Sequence, residues 1–262
     1  MSESEEIQVS KLSSELGFDP IFPEAFSFFE PYLPYFIKET IELGGEAYLT
    51  KNSEDDVSGV FIYDEVEKTG TIFTRSKKVF DYFYKLKPFN SLFAELRTEP
   101  ANEIYDIYTL EMENREIVHS FNHQIALAEK NHISEIERFM ELAHPEINRK
   151  WVKVALKNGD KCFIVSLGNE IAGLGWVSFV KHIGRIHSLY VKPQFRKLGI
   201  GEDILYARLL WLKTNHALSA FSEISRHNVS SSRIALKAKM NVSAQLFQYF
   251  KNPITKKPLQ SQ

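Results

Sequence analysis

The feature that most constrains this sequence is a strand that runs into a glycine-containing loop and then a helix. The stretch Ile183–Gly201 reads I-G-R-I-H-S-L-Y-V-K-P-Q-F-R-K-L-G-I-G. Backbone N–H groups at a helix start have no partners within the helix and carry the positive end of its dipole. Gly199 and Gly201 lack Cβ atoms, so an anion can reach the main chain, and Arg196 and Lys197 add positive charge. The stretch therefore predicts an anion site between a strand and a helix.

Composition limits the chain to an ordinary folded protein. Its 262 residues, 25% charged and 44% hydrophobic, suffice for one large core or two smaller ones. A net charge of −2 gives no long-range basic field, so we expect no nucleic-acid partner. No run approaches 18 apolar residues, and the acidic N-terminus lacks a signal-peptide pattern. We therefore expect a soluble cytoplasmic protein with no membrane partner.

Cysteine and histidine usage predicts neither disulfides nor a metal site. Cys162 is the single cysteine, which excludes an intramolecular disulfide and a cysteine-based zinc cage. The eight histidines are scattered, and only His119 and His123 are spaced four residues apart. They fall in a predicted linker rather than on a helix, so we expect no zinc there.

The spacing of apolar residues predicts mixed helices and strands along the whole chain. The predicted segments of the first half are a loose tail at 1–16, one or two short helices within 24–43, strands at 47–50, 57–63 and 69–74, a helix at 76–86, a strand at 104–112 and a linker at 113–122. Those of the second half are a strand at 125–129, helices at 132–142 and 148–156, strands at 161–166, 170–179 and 184–191, a helix at 200–214, a strand at 218–224, a helix at 230–239 and a strand at 242–249.

The two halves resemble each other at a fixed offset of 114 positions (57 to 171 and 70 to 184). Val57-Ser58-Gly59 matches Ile171-Ala172-Gly173, and Gly70 matches Gly184 without a gap. One interpretation is an internal duplication. The other is chance agreement of two β-meanders, which share a pattern of strands and turns.

The glycine loop resembles a motif of a known family. Arg196–Gly201 is similar to the R/Q-x-x-G-x-G/A motif of the GNAT superfamily of N-acetyltransferases, and Val191, Pro193 and Phe195 match its V-x-P-x-aromatic pattern. The resemblance implies an α+β fold: a mixed, mostly antiparallel sheet flanked by helices and splayed between two central strands. The duplication would place two such domains in tandem. The implied division is a flexible tail at 1–16, a degenerate GNAT-like or scaffold domain at 17–115, an acyltransferase domain at 123–250 and a tail at 251–262.

The resemblance also implies an activity: direct transfer of an acetyl group from acetyl-CoA to a primary amine, without a metal. Whether the acceptor is a small molecule or a peptide stays open, as does a homodimer. In the family the glycine loop holds the pyrophosphate, and the preceding strand pairs with the pantetheine arm while its bulged N–H polarises the thioester carbonyl. The residues thereby implied to bind the cofactor are Leu189, Tyr190, Val191, Arg196, Lys197, Leu198, Gly199, Ile200, Gly201 and Asn228.

His187 is the candidate catalytic base. It precedes Val191 by four residues, where arylalkylamine-type members of the family carry a working histidine, and a pKa near about 6.5 suits proton transfer at neutral pH. Side-chain alternation predicts that Arg185, His187, Leu189 and Val191 share one face of the strand. The alternative is a half-buried histidine hydrogen-bonded to a neighbouring strand.

Two departures from the family pattern, at position 235 and at the acidic start of the predicted helix 200–214, support a second hypothesis, and a third makes the first half a scaffold. Ala235 stands where the family has its tyrosine acid, counting from Asn228. Glu202 and Asp203 would repel a pyrophosphate unless Arg196 and Lys197 offset them. The first half lacks the glycine loop, reading Y-F-Y-K-L-K at 82–87, and has a phenylalanine at position 73, which the offset matches to the histidine at 187. The alternative function is therefore a non-catalytic acyl-CoA-binding or partner-binding protein.

Overall fold

The computed structural model describes residues 7–13, 27–54, 56–98, 100–145, 148 and 150–251. The chain forms two compact units. The first consists of residues 1–105 and 245–262, and the second of residues 106–244.

Both units combine helices with strands. In the first half they are β1 (Gln8–Leu12), α1 (Leu33–Glu42), β2 (Glu46–Lys51), β3 (Val57–Asp64), β4 (Thr69–Phe73), α2 (Lys77–Leu86), β5 (Ser91–Ala94) and β6 (Glu103–Glu111). In the second half they are β7 (Ala126–Leu127), α3 (Ile133–Ala143), α4 (Trp151–Lys157), β8 (Lys161–Leu167), β9 (Glu170–Val180), β10 (Ile183–Val191), α5 (Ile200–Thr214), β11 (Ser219–Ser225), α6 (Val229–Lys237) and β12 (Asn241–Phe250).

The sheet of the first unit is antiparallel except at one pair. Its strands run in the order β1-β2-β3-β4-β5, and β4 pairs with β5 in parallel. The end of β12 completes it, because Phe247–Phe250 pairs antiparallel with β5. Phe61, Phe80 and Phe83 lie in its core together with Tyr249.

The sheet of the second unit has the strand order β11-β10-β9-β8-β7, and β6 neighbours β11. Only β10 and β11 among these described pairs run parallel. Two cores cover its faces. One includes Ile200, Ile204 and Leu212 of α5, and the other Phe139 and Trp176 with α3 and α4.

Each unit has one of two matched glycines at a close contact between a strand and a helix. A Cβ at Gly59 would lie 2.5 Å from the side chain of Val79 on α2, and one at Gly173 would lie 2.8 Å from Ile200 on α5. Each glycine therefore lets the helix that follows the parallel strand pack tightly on the sheet. The shared spacing thus has a shared structural cause.

The predicted fold class, a mixed and mostly antiparallel sheet with flanking helices, is confirmed. Two strands were missed. Residues 8–12, assigned to a loose tail, form β1, which pairs with β2 through main-chain groups that a polar sequence does not reveal. The other missed strand, β5, is too short for its alternation of apolar and polar residues to be recognised in the sequence. Residues 1–6, 14–16 and 252–262 of the predicted tails lie outside the described residues.

The contact boundary at the end of the chain differs from the predicted one. Residues 245–250 were assigned to the second domain, yet they belong to the first unit. The reason is their apolar side chains, since Phe247 and Tyr249 are buried in the first unit's core.

Candidate functional site

The parallel strands β10 and β11 separate partway along their length. They pair only where Ile183–Arg185 meets Ser219–Phe221, although β10 continues to Val191 and β11 to Ser225. Arg185 Nε donates to Glu223 Oε1 at 2.9 Å just beyond the last pair. The result is an opening along the edge of β10, which is the splay that the resemblance implies.

A β-bulge interrupts β10 within this opening. His187 faces Trp176 and Tyr190 faces Leu174, so that Ser188 and Leu189 oppose a single residue of β9. Ser188 adopts φ 49°, in the left-handed region that non-glycine residues rarely occupy. Such an extra residue twists the strand and re-aims its groups.

The bulge overturns the predicted alternation of side chains. The ring of His187 lies 5.9 Å from that of Trp151 on α4. Leu189 and Val191 instead pack against the core that contains Ile200 of α5. The prediction that His187 shares a face with Leu189 and Val191 is therefore wrong, because the extra residue shifts the alternation by one position.

His187 is a buried histidine with polar groups at both ring nitrogens. Nε2 lies 3.1 Å from Ser178 Oγ and 3.7 Å from Asp160 Oδ2, and Nδ1 lies 3.3 Å from Ser188 Oγ. Burial, together with the neighbouring Arg185 cation, lowers the pKa of His187 well below its ordinary value. The imidazole is therefore neutral at physiological pH, and its burial opposes protonation.

The glycine loop leaves the start of α5 open. Gly199 is the N-cap, with φ 87° and no side-chain hydrogen bond to the cap. A Cβ at Gly199 would have only the Asn122 side chain near it, at 3.7 Å. Lys197 also has a positive φ, and Arg196 Nε donates to the carbonyl of Val191 at 3.2 Å. These residues fit a phosphate group, because exposed N–H donors lie beside two cations.

The two acidic residues of α5 have partners away from the loop. Glu202 pairs with Lys237 at 2.5 Å. Asp203 is buried and accepts four hydrogen bonds, from His119 Nε2 at 2.6 Å, His123 Nδ1 at 2.7 Å and the backbone N–H groups of Asn122 and His123 at 3.1 Å. Although burial favours the neutral acid, these hydrogen bonds keep the pKa of Asp203 below its ordinary value.

Sequence reasoning missed this arrangement. His119 and His123 were assigned to a linker, but they bind a carboxylate that follows 80 or more positions later. The four-residue spacing of the histidines was the available signal, and its meaning depended on a distant acid. Among the residues described, no group of three metal-ligating side chains has a geometry that would hold a metal ion.

Of the other predicted residues, Tyr190 lies at the bulge, with its ring 5.6 Å from that of Phe139 and 5.7 Å from the Arg196 guanidinium. Leu198 is half exposed beside the open helix start, whereas Ile200 is buried beneath it. Asn228 is the N-cap of α6, and its Oδ1 accepts from Ser231 N at 3.1 Å.

Ala235, in place of the family's tyrosine, is buried in the core that includes α5. The nearest tyrosines in sequence do not replace it in the structure. Tyr206 donates its hydroxyl to the carbonyl of Lys237, and Tyr249 belongs to the first unit. No described helix is long and apolar enough to cross a membrane.

A family profile matches just over half of the chain. The profile is that of the Acetyltransferase (GNAT) family, and it covers residues 101–237, which include the bulge and the glycine loop. The chain therefore belongs to the GNAT family of acetyltransferases. No curated protein matches the chain significantly.

Solved structures share the fold at low sequence identity. A GCN5-related N-acetyltransferase from Sphaerobacter thermophilus has a TM-score of 0.59 at 10% identity, covering 77% of this chain and 79% of its own. An acetyltransferase of the GNAT family from Colwellia psychrerythraea has a TM-score of 0.55 at 10% identity, covering 93% and 100%. A tandem GNAT protein from the clavulanic acid biosynthesis pathway has a TM-score of 0.58 at 8% identity, covering 95% and 99%. The match to the tandem GNAT protein spans nearly the whole chain, so the described part of both halves is consistent with a tandem GNAT arrangement.

Proposed function

We propose that this protein transfers an acetyl group from acetyl-CoA to a primary amine by direct transfer, on its second unit. The observation that carries the proposal is the opening between β10 and β11, which ends at the uncapped, glycine-containing start of α5. Acetyl-CoA, when bound, supplies the activated acyl group as a thioester. The chain's own residues bind the cofactor, orient it and move a proton.

Binding relies on main-chain donors and two cations. The amides at the start of α5 donate to the pyrophosphate, while Arg196 and Lys197 add charge at the exposed rim. The pantetheine arm lies along the free edge of β10, beside Leu189, Tyr190 and Val191. Asn228, at the start of α6, offers a further polar contact from the opposite side of the opening.

The bulge supplies donors for the acyl oxygen. Lys192 N donates to Ala172 O of β9 at 2.9 Å, and strand alternation then places the N–H groups of Val191 and Leu189 on the edge that faces away from β9. That edge borders the opening. We assign the Leu189 amide to stabilise negative charge that develops on the acyl oxygen, as preorganised donors do in acyl transfer.

His187 acts as the base in this proposal. Burial keeps the imidazole neutral but also opposes its protonation, so it takes the proton of the incoming ammonium group only where the groups around the ring stabilise the imidazolium. Its Nδ1 contacts the Ser188 hydroxyl, which lies within the bulge and gives the proton a path from the opening to the buried ring. Asp160, near Nε2, favours the protonated ring that results.

The second candidate, a protein that binds acyl-CoA without turning it over, is favoured by buried Ala235. This residue has no proton to give to the departing sulfur. Departure as a thiolate is nevertheless feasible at neutral pH, because a thiol pKa is only about 8.5. Catalysis without a tyrosine acid is therefore chemically reasonable.

Calorimetric titration with acetyl-CoA, followed by a thiol-release assay over a panel of small amines and peptides, tests both candidates. We expect saturable binding, and thiol release that depends on one class of amine. Binding without release for any amine would support the second candidate. Absence of binding would overturn both.

A further inference from the structure

Arg208 is a cation buried in the core of the second unit. It lies on α5, is 1% exposed, and donates through Nε to Ile204 O at 3.2 Å. Its Nη1 donates to two further carbonyls, Trp176 O at 3.1 Å and His187 O at 3.0 Å. One of these belongs to β9 and the other to β10, so the guanidinium joins the two strands at the residue pair that precedes the bulge.

Burying a charge costs free energy unless hydrogen bonds or an opposite charge compensate it, so the burial of Arg208 requires an explanation. Burial lowers the pKa of Arg208 to about 9, and no ion pair with a carboxylate joins it within the described part of the chain. The sheet makes room for it, because a Cβ at Gly175 would lie 3.0 Å from the guanidinium carbon and from Nη1. Gly175 is the residue that the bulge opposes.

The contact of Arg208 with His187 O fixes a peptide plane. A single nitrogen can reach both carbonyls only if His187 O is directed towards β9 and Trp176 O towards β10. The His187–Ser188 peptide is trans, since the described chain has no cis bond, and in a trans peptide C=O and N–H point in opposite directions. The N–H of Ser188 is therefore directed away from β9, to the same edge as that of Leu189.

We propose that Arg208 is a positioning residue, which holds the carbonyls of His187 and Trp176 so that two successive amides, those of Ser188 and Leu189, face the opening between β10 and β11. The reaction these amides would serve rests on the proposed function, whereas the positioning itself does not. Without the guanidinium, the strained backbone at Ser188 can relax towards a regular strand, in which successive amides alternate between the two edges.

The test compares Arg208→Lys and Arg208→Met with wild type. Arg138→Met is the matched control, because Arg138 also donates from Nε to a carbonyl four residues earlier, but its side chain is exposed. In the protein without cofactor, hydrogen exchange of the Ser188 and Leu189 amides is measured against that of Ile72 in the first unit. With cofactor, kcat and the KM for acetyl-CoA are measured separately.

We expect Arg208→Met to slow exchange at least tenfold at one of the two amides, because that amide turns towards β9 and pairs there, and to lower kcat at least thirtyfold, with the KM changed less than threefold. Arg208→Lys retains a cation and should restore much of both. Unchanged exchange at both amides in Arg208→Met would overturn the proposal, whatever the activity. If wild type binds acetyl-CoA but releases no thiol, only the proposed function fails, because the exchange result still decides the positioning role. If Arg208→Met does not fold, Arg208→Gln takes its place, and unchanged exchange at both amides in that variant overturns the proposal.

Discussion

Each unit has a pair of parallel strands that follows its matched glycine, Gly59 or Gly173, but the strands separate in only one of the two pairs. In the first unit, β4 and β5 stay paired from Thr69–Ser91 to Ile72–Ala94, which is the whole length of β5. In the second unit, β10 and β11 pair at three positions and then separate. One fold is therefore closed in one copy and open in the other.

The helix that follows the parallel strand differs in the same way. Ser76 caps α2, and its hydroxyl accepts from Val79 N, so a side chain occupies the helix start. Gly199 caps α5 without a side chain. At the offset of 114 positions, Phe73 replaces His187, and it is buried against other rings of the first unit. The first unit therefore has a capping side chain or a buried ring where the second unit has an uncapped helix start or a histidine.

Gly199→Ala tests the open helix start of the second unit directly. An L residue in the left-handed region costs about 1–2 kcal/mol, and a methyl group beside the free amides hinders an anion. We expect the Kd for acetyl-CoA to rise at least about tenfold by calorimetry. Gly159→Ala is the control, because Gly159 has a similar φ of 96° and open space around its Cβ position. An equal rise in Kd for both variants would mean that strain, rather than the loop, is responsible.

His187→Gln tests the role of the histidine that stands where the offset places Phe73 in the first unit. If His187 is the base, kcat/KM should fall by about 10²–10⁴-fold, the usual contribution of acid–base catalysis, while the Kd for acetyl-CoA stays within twofold. His182→Gln is the control, since His182 lies exposed in the turn before β10. A kcat/KM within a few-fold of wild type between about pH 6 and 9 would rule out the base assignment.

Two cap variants separate stability from binding. Ser76→Ala in the first unit and Asn228→Ala in the second each remove a side chain that accepts from a helix N–H. Each should lower the free energy of unfolding by about 1 kcal/mol in denaturant titrations. Only Asn228→Ala should also weaken acetyl-CoA binding, by severalfold. A loss of affinity in Ser76→Ala would show that the closed unit takes part in binding.

The sequence predicted those parts of the site that are local. The strand, the turn at Pro193 and the helix that begins at Ile200 follow from residue types a few positions apart, and all three lie where predicted. The start of α5 has the glycine N-cap that the loop pattern predicts, because a left-handed cap needs glycine.

The missed parts depend on long-range contacts or on one extra residue. The carboxylate of Asp203 was expected to repel a phosphate, but His119 and His123 bind it from the preceding segment. The predicted strand face of His187 was wrong, because a bulge adds one residue that the pattern of apolar residues does not reveal. The burial of Arg208 could not be predicted from the sequence, because an arginine on a helix is usually exposed and the glycine that makes room for it lies on another element.

We also expect a pH dependence of stability that only the second unit can have at this position. Burial depresses the pKa of His187 in the folded protein below the value of 6.5 that it has when exposed, whereas Phe73 does not titrate. As the pH falls below about 6.5, the unfolded chain binds a proton at residue 187 before the folded chain does, so the free energy of unfolding decreases. One proton limits this decrease to about 1.4 kcal/mol per pH unit. The difference between wild type and His187→Gln in urea titrations from pH 7.5 to 5 isolates the effect from the other histidines. If the two stability curves stay parallel, His187 is protonated as easily in the folded protein as in the unfolded chain, and the buried, neutral imidazole on which the base assignment depends does not exist.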